Sequence, residues 1–418
     1  MKRAAFLLVG SATLLLITSC GNSNSVVGPN GNISVNAPSM LKNRAFITNQ
    51  FSGNVQIVDT QKDQTAYYTL TNNNTGNSSV GGSPASAVFI AVGGSLSWEI
   101  LSPDDLETVV YNPNLKNLTF ITNSSETTNG AVTLAGWADM ALYSSDSKVI
   151  YVPVPNAVTS ASQPGGVQLI DTASGQVTGT VPVPGARYIA LSPDGKILLV
   201  FASNSDTMFM IDTTASPMSA AAVTGFARPV NAFFSTDNST AYILNCGPEC
   251  GSTAGPPSVT KFTIASKTVN ATVPVGGATV GLLNGNNLYV AGYPGGSTGT
   301  MDIVDVGSMT RTTGNPIAIG DGMHTTMAMN NNKLYIGAIT CANTTVGCLS
   351  IVDLSKTQAD PSPPPRGSVT SLLSITNRST IYAIEGGILY IYDTNTGQPQ
   401  SKQIAFVGAL YGIVQVDQ

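Results

Sequence analysis

The chain has 418 residues, a formal net charge of -5 and only 10% charged residues, together with 42 glycines and 24 prolines. This composition is typical of an all-β chain with many turns. No run of Lys or Arg follows residue 3, which argues against the broad basic face that nucleic-acid binding requires.

The N-terminus predicts an export signal. Lys2 and Arg3 precede an apolar run over residues 4–17. This run is shorter than the roughly 20 apolar residues that span a bilayer, and it has the length of a secretory signal core. Residues 16–20 read Leu-Ile-Thr-Ser-Cys and resemble the bacterial lipobox, in which the cysteine is acylated and becomes the new N-terminus. The resemblance implies a signal peptide over residues 1–19 and a lipid on Cys20; the alternative is an ordinary signal with an incidental cysteine.

Residues 20–42 are rich in Ser, Asn, Gly and Pro and predict a flexible tether between the lipid and a domain over residues 43–418. Gly21 stands where an Asp would indicate retention in the inner membrane. We therefore expect the protein in the cell envelope, at the outer membrane or facing the periplasm rather than at the cytoplasmic membrane. The lipid on Cys20 is the membrane contact that we expect.

From residue 43 onward the chain repeats one pattern of short β-rich runs. In each repeat, one run is stopped by an Asp whose side chain can start a turn. Two runs come before this one, and the first of them ends in a tight turn such as Ser-Pro-Asp-Gly at 192–195. A fourth run follows and ends near Gly, as in Val-Pro-Val-Pro-Gly at 181–185. The Asp-terminated runs end at Asp59, Asp171, Asp212, Asp305, Asp353 and Asp393.

Four short strands every roughly 40 to 50 residues are the signature of a propeller blade. The chain also resembles the YVTN-type repeat of bacterial surface and periplasmic propellers. The resemblance is strongest over residues 137–185 and 188–213, where Ser-Pro-Asp-Gly-Lys is followed by Met-Phe-Met-Ile-Asp-Thr. It implies a single β-propeller, and relatives of this repeat type commonly have seven blades.

The two ends of the domain complete one blade. Residues 43–49 read as a second strand with no first strand before it, and residues 410–416 read as a first strand with nothing after it. We therefore predict that the C-terminal strand pairs with the N-terminal blade and closes the ring, which removes exposed strand edges. The count is eight blades, with seven as the alternative if residues 65–134 hold one blade fewer. The predicted first strands start near residues 96, 138, 187, 229, 279, 324, 369 and 410.

The loops between second and third strands should share a face with the links between blades. They are long at four places and short at 202–207, and binding is normally placed on such loops, although neutral insertion would also lengthen them. The long loops are 155–166, 246–258, 294–300 and 340–347.

Two of the long loops carry cysteine pairs, Cys246 with Cys250 and Cys341 with Cys348. An even number of cysteines in an oxidising compartment predicts two local disulfides. Free thiols and a zinc site are the alternatives, but neither spacing is the usual C-x2-C of zinc ligands.

Few residues suggest chemistry. The chain has one histidine, His324, at the predicted start of a first strand, and Arg187 and Arg228 begin the corresponding strands of blades four and five. We interpret the three as a candidate basic binding spot at the channel mouth for a small anion or carbonyl; the alternative for each is a satisfied polar residue at a strand end. No catalytic residue, metal site or cofactor is predicted. One histidine excludes multi-histidine copper or iron sites, and no C-x-x-C-H occurs for covalent haem.

The preferred hypothesis is a non-catalytic, lipid-anchored binding or scaffold module whose long-loop face meets an envelope protein, a peptide or a glycan. The alternative is a propeller enzyme of the lactonase or lyase-like kind with its site at the channel mouth. Convergence of at least three carboxylate, histidine or arginine groups on one point would favour the enzyme.

Overall fold

The computed structural model describes residues 25–26, 34–35, 38–39, 41–66, 89–159, 164–293, 298–312, 316–341, 346–356, 358–360 and 363–417. The predicted signal peptide and Cys20 lie outside the described residues. Within the predicted tether, Ser25–Val26 pairs antiparallel with Ser34–Val35. Among the described residues there is no helix that is long and apolar enough to cross a membrane.

The domain is a propeller of eight antiparallel blades, so the prediction of eight rather than seven is confirmed. From first to fourth strand, blade 1 consists of Leu410–Val416, Arg44–Asn49, Asn54–Asp59 and an outer strand in two pieces, Gln64–Thr65 and Phe89–Ala91. Blade 2 consists of Glu99–Leu101, Glu107–Asn112, Asn117–Thr122 and Thr127–Thr133. Blade 3 consists of Leu142–Tyr143, Val149–Val154, Gly166–Asp171 and Gln176–Pro182. Blade 4 consists of Ala186–Leu191, Ile197–Ala202, Met208–Asp212 and Ala220–Val223.

The second half repeats the plan. Blade 5 consists of Pro229–Phe234, Thr240–Asn245, Ser258–Thr263 and Thr268–Pro274, with a short 3-10 helix at Gly247–Cys250. Blade 6 consists of Val280–Asn284, Asn287–Gly292, Gly299–Asp305 and an outer strand in two pieces, Thr310–Arg311 and Ile317–Ile319. Blade 7 consists of His324–Asn330, Lys333–Ala338, Cys348–Asp353 and Gln358–Ala359. Blade 8 consists of Val369–Ser374, Thr380–Glu385, Ile388–Asp393 and Gln398–Ile404.

The first strand of every blade contacts the first strands of both neighbouring blades, and these contacts run once around the ring. The first strands therefore form the inner wall of the propeller. Second strands such as Thr240–Asn245 are buried along their whole length, because both faces of a blade are covered by its neighbours. This explains why they read as continuous apolar runs. One cluster between blades 4 and 5, for example, packs Leu199 and Phe201 against Ala241 and Ile243.

Most aspartates fix turns. Ser192 Oγ donates to Asp194 Oδ1 at 2.7 Å and accepts from the Ile197 N–H at 2.9 Å, and the same pair recurs at Ser102 and Asp104. The aspartates that end third strands accept backbone N–H groups two or three residues on, as Asp393 does from Asn395. These contacts agree with the structural role that the sequence indicates for these residues.

The ring closes as predicted, because Leu410–Val416 pairs antiparallel with Arg44–Asn49. Arg44 stabilises the contact between these two strands, because its Nε and Nη2 donate to the two carboxylate oxygens of Asp417 at 2.6 and 2.8 Å. Its Nη1 donates to Glu126 Oε1 of blade 2 at 2.7 Å. One side chain thus joins the first and last strands of the domain to the next blade.

The propeller has two different faces. We call the face with the second-to-third strand loops and the interblade links the loop face, and the opposite one the turn face. Hydrogen bonds join loops to links, as from Val183 N–H to Gly165 O and from Cys246 N–H to Arg228 O. The second strand of blade 1 runs from the turn face to the loop face, so the chain enters the propeller at Arg44 on the turn face. Ser39, just upstream, donates its N–H to Glu126 Oε2 at 2.7 Å.

Candidate functional site

A cavity of about 430 Å³ opens at the channel mouth on the loop face, and residues of blades 4, 5, 6 and 7 line it. All three residues that the sequence singles out, Arg187, Arg228 and His324, line it. Glu249 lines it as well. Hydroxyl and amide groups form part of the remaining wall, at Tyr188, Ser203, Asn204, Asn231, Thr279 and Thr325. The other part is formed by Ala202, Pro229, Val230, Cys250, Val280 and Met323.

Arg187 has its charge balanced within the protein. Its Nε donates to Asp139 Oδ2 at 2.5 Å, and its guanidinium lies 5.7 Å from the ring centre of Trp137 and 5.1 Å from that of Tyr188. The hydrogen bond to Asp139 keeps the pKa of Arg187 above its ordinary value despite partial burial, which acts in the opposite direction. Arg187 therefore contributes a fixed, paired cation to the cavity wall.

Arg228 does not occupy the position in blade 5 that Arg187 occupies in blade 4. Ala186 pairs with Ala202 and Pro229 pairs with Asn245, so Arg228 corresponds to Gly185. Each of the two residues immediately precedes the first strand of its blade and has a left-handed backbone conformation, with φ of +54° for Arg228 and +65° for Gly185. The sequence analysis places both arginines at the start of corresponding first strands. In the structure Arg187 is the second residue of its strand and Arg228 lies just before its strand, so the two enter the cavity from different backbone positions.

The Arg228 side chain is held by the first disulfide loop. Its Nε donates to Cys250 O at 3.1 Å and its Nη2 to Gly251 O at 3.4 Å. Within the part of the chain that the structure describes, no carboxylate oxygen lies within 4.0 Å of this guanidinium, whereas Arg187 has Asp139. Since an arginine carries five N–H donors, Arg228 keeps donors that these two carbonyls do not use.

His324 begins the first strand of blade 7 and is 2% exposed. Its Nε2 lies 3.0 Å from Gly320 O; a carbonyl only accepts, so Nε2 carries the proton and Nδ1 is an acceptor. Nδ1 has no hydrogen-bond partner among the described residues. Burial lowers the pKa of His324 to about 4, so the ring is neutral at neutral pH.

Glu249 is the cavity residue that the sequence did not single out. It lies in the disulfide loop of blade 5, and its Oε2 accepts the backbone N–H of Tyr293 from blade 6 at 2.7 Å. Burial raises the pKa of Glu249 to about 7, and the bond from Tyr293 acts in the opposite direction. The carboxyl therefore changes its charge near neutral pH. The only sequence signal for it is its place between two paired cysteines.

Both predicted disulfides are present, with Cα–Cα distances of 5.7 Å for Cys246–Cys250 and 6.1 Å for Cys341–Cys348. Both support the cavity. The first holds the loop that bonds Arg228 and carries Glu249. The second holds a loop whose Thr340 O accepts the N–H of Met323, the residue before His324.

The polar groups of the cavity form no assembled catalytic pair with one another or with other described residues. Arg187 bonds to Asp139, whereas Arg228, His324 and Glu249 all bond to backbone groups. Among the described residues, none of these four side chains is hydrogen-bonded to a hydroxyl that it could activate as a nucleophile. The arrangement can recognise charge and hydrogen-bonding groups in a ligand.

The loop face also exposes apolar side chains. Among the described residues, ten large apolar side chains are exposed, and seven of them lie on the loop face. They are carried by blades 1, 2, 3 and 7 and by interblade links: Phe51, Leu115, Trp137, Val158, Met323, Val346 and Val407. Leu106 is on the turn face, and Phe89 and Val269 are on outer strands. We call the seven the apolar loop residues.

No protein-family model matches the chain, and no curated protein matches it either. Solved structures share its fold. A dihydro-heme d1 dehydrogenase, NirN, in complex with DHE aligns at a TM-score of 0.67 and 12% identity, over 91% of this chain and 76% of that one. A hydrazine synthase from Kuenenia stuttgartiensis aligns at 0.51 and 16%, over 75% and 96%.

A functionally unknown protein from Desulfotomaculum acetoxidans aligns at a TM-score of 0.54 and 13% identity, over 89% of this chain and 98% of that one. At these identities the likeness concerns the propeller fold.

Proposed function

We propose that this protein is a non-catalytic, lipid-anchored binding module of the cell envelope, and that it holds a protein partner on its loop face. The observation that carries the proposal is the uneven distribution of exposed apolar side chains, with seven on the loop face and Leu106 on the turn face among the described residues. Exposed apolar side chains that are concentrated on one face favour that face as an interaction surface.

The position of the tether agrees with this assignment. The chain enters the propeller at Arg44 on the turn face, and Ser39 is bonded to Glu126 there. A lipid on Cys20 would therefore attach on the turn-face side. Attachment on that side would let the loop face point away from the membrane, where a partner can reach it.

The envelope location has three supports. Residues 16–20 resemble a lipobox, the repeats resemble those of YVTN-type surface and periplasmic propellers, and both disulfides are of the kind that persists in oxidising compartments. The first disulfide also fixes a loop that has a short 3-10 helix and no strand.

The chemistry of the apolar loop residues favours a protein partner over a glycan. Five of the seven are aliphatic or Met, and only Phe51 and Trp137 offer aromatic rings. Phe51 and Val407, which are 77% and 94% exposed, both have backbone groups bonded to the side chain of Asn49. Asn49 donates from Nδ2 to Val407 O at 2.9 Å and accepts the Phe51 N–H at 3.2 Å. Such side chains gain most by burial against an apolar protein surface.

The second candidate is a lactonase or lyase-like enzyme at the channel mouth. Glu249 favours it, because a carboxyl whose pKa is near 7 suits general acid–base chemistry. Lactone hydrolysis or lyase turnover that is lost in Glu249→Gln would establish this function. We prefer binding, because no base–nucleophile pair is assembled among the described cavity residues.

The test of the proposed function compares two variants with the wild type in capture from detergent-solubilised envelope extract. Phe51→Ser combined with Val407→Ser should weaken recovery of the bound protein at least about tenfold, since buried apolar anchors each contribute more than about 1 kcal/mol. Leu106→Ser, 65% exposed on the turn face, is the matched control and should capture like the wild type. Equal capture by all three proteins would contradict the proposal.

A further inference from the structure

The channel-mouth cavity contains an arginine in an unfavourable backbone conformation. Arg228 has φ of +54°, and blade 4 has Gly185 at the equivalent position with φ of +65°. A residue with a side chain is strained there, and such outliers concentrate at functional sites. The position places a cation in the cavity, where the neighbouring blade has no side chain.

That cation has no anionic partner among the described residues. The Arg228 guanidinium bonds to the carbonyls of Cys250 and Gly251, and Asp206 accepts the backbone N–H of Arg228 instead, at 2.9 Å. Charged groups that are partly removed from water are normally paired. The other cavity arginine, Arg187, is already paired with Asp139.

His324 supplies an acceptor in the same cavity. Its Nε2–H is engaged by Gly320 O, and its buried Nδ1 has no partner within the described residues. A buried acceptor without a donor is unfavourable. A ligand that carries a hydroxyl or N–H group would satisfy it.

We propose that the cavity binds a small organic carboxylate that also carries a hydroxyl or N–H donor, with Arg228 binding the carboxylate and His324 Nδ1 accepting from the donor. The volume of about 430 Å³ suits a small molecule. The apolar wall at Pro229, Val280 and Met323 can cover the remainder of such a ligand. The site shares Met323 with the apolar loop residues, but it excludes Phe51 and Val407, and its test does not depend on the protein partner.

Glu249 makes the binding depend on pH. The other titratable groups that line the cavity are Arg187, Tyr188, Arg228 and neutral His324. Glu249 itself accepts from the Tyr293 backbone, while Asp206 and Asp139 contact Arg228 and Arg187. Since the pKa of Glu249 is about 7, its carboxyl is largely neutral near pH 6 and largely ionised near pH 8. Glu249 lines the cavity, so its ionised carboxylate repels an anion bound there, and affinity for an anion falls as the pH rises through 7.

The experiment measures binding of lactate to the purified protein by calorimetry in the millimolar range, with propionate and methyl lactate as matched probes. Propionate lacks the hydroxyl, and methyl lactate lacks the charge. Lactate should bind most tightly, propionate more weakly and methyl lactate least. Affinity for lactate should fall severalfold between about pH 6 and about pH 8, and Glu249→Gln should remove that dependence.

Arg228→Gly is the decisive variant, because glycine suits the left-handed backbone and the fold should be retained. It should reduce lactate affinity at least about tenfold, with a thermal midpoint close to that of the wild type. Lys267→Gly is the control: Lys267 also has φ of +54°, but it lies in the turn between third and fourth strands on the turn face. Undiminished lactate binding in Arg228→Gly, equal binding of methyl lactate, or no binding of lactate to the wild type would overturn the proposal.

Discussion

Ring closure at Arg44 gives the sharpest stability prediction. The Arg44 side chain is 6% exposed and the Glu126 side chain is fully buried. Arg44→Met keeps the apolar stem but removes the bidentate pair with Asp417, the bond to Glu126 Oε1 and the bond to Asn123 O. Glu126 then retains the Ser39 donors but no longer has the opposing cation.

Removing one partner of a buried ion pair typically costs about 3–5 kcal/mol, because the other charge stays buried. We expect Arg44→Met to lower the free energy of unfolding by that amount in urea denaturation. Lys196→Met is the control. It removes a pair with Asp194 in which the lysine is 64% exposed, and such surface pairs contribute about 0–1 kcal/mol. If the two variants lose the same free energy of unfolding, Arg44 does not stabilise the ring closure as we describe.

Three further predictions concern the loop face and buried acids. Peptide mass mapping without reduction should find each of the four cysteines linked within its own loop, and free thiols there would contradict the assignment of the two bridges. Because the folded-state pKa of Glu249 is raised to about 7 from 4.5, the wild type should lose stability as the pH rises from about 5 to 8, by up to about 3 kcal/mol. Glu249→Gln should flatten that dependence in thermal unfolding, and an unchanged slope would refute the assignment. Burial also raises the pKa of Glu99 well above its ordinary value, and its Oε2 has no partner among the described residues. Glu99→Gln should therefore stabilise the protein at pH 8 more than at pH 5, whereas equal effects at both pH values would contradict this.

The propeller could be predicted from the sequence because the pattern of each blade is local. A continuous apolar run, an Asp that starts a turn and a Ser-Pro-Asp turn all lie within one blade, and eight copies of the pattern reinforce one another. Ring closure was predictable for the same reason, since residues 43–49 and 410–416 each read as part of an incomplete blade. The disulfides followed from loop position and cysteine count.

The chemistry of the cavity was only partly predictable, because it depends on contacts between blades. Arg187 and Arg228 both read as the start of a first strand in the sequence, whereas the pairing of Ala186 and Pro229 shows that the two arginines are offset by two positions. Glu249 gains its raised pKa from burial against blade 6, where Tyr293 meets it. No local signal gives that contact. Phe51 is a single apolar residue in a polar segment, whereas Val407 continues the apolar residues 404–406. Their shared partner Asn49 becomes visible only when the ring is closed.

The most direct test of the central claim, that a protein partner binds the loop face, is site-specific photocrosslinking in intact cells. A photoreactive residue at position 51, on the loop face, should give a discrete crosslinked protein band. The same residue at position 106, on the turn face, should give none. Crosslinking from position 106 alone, or from neither position, would contradict the account.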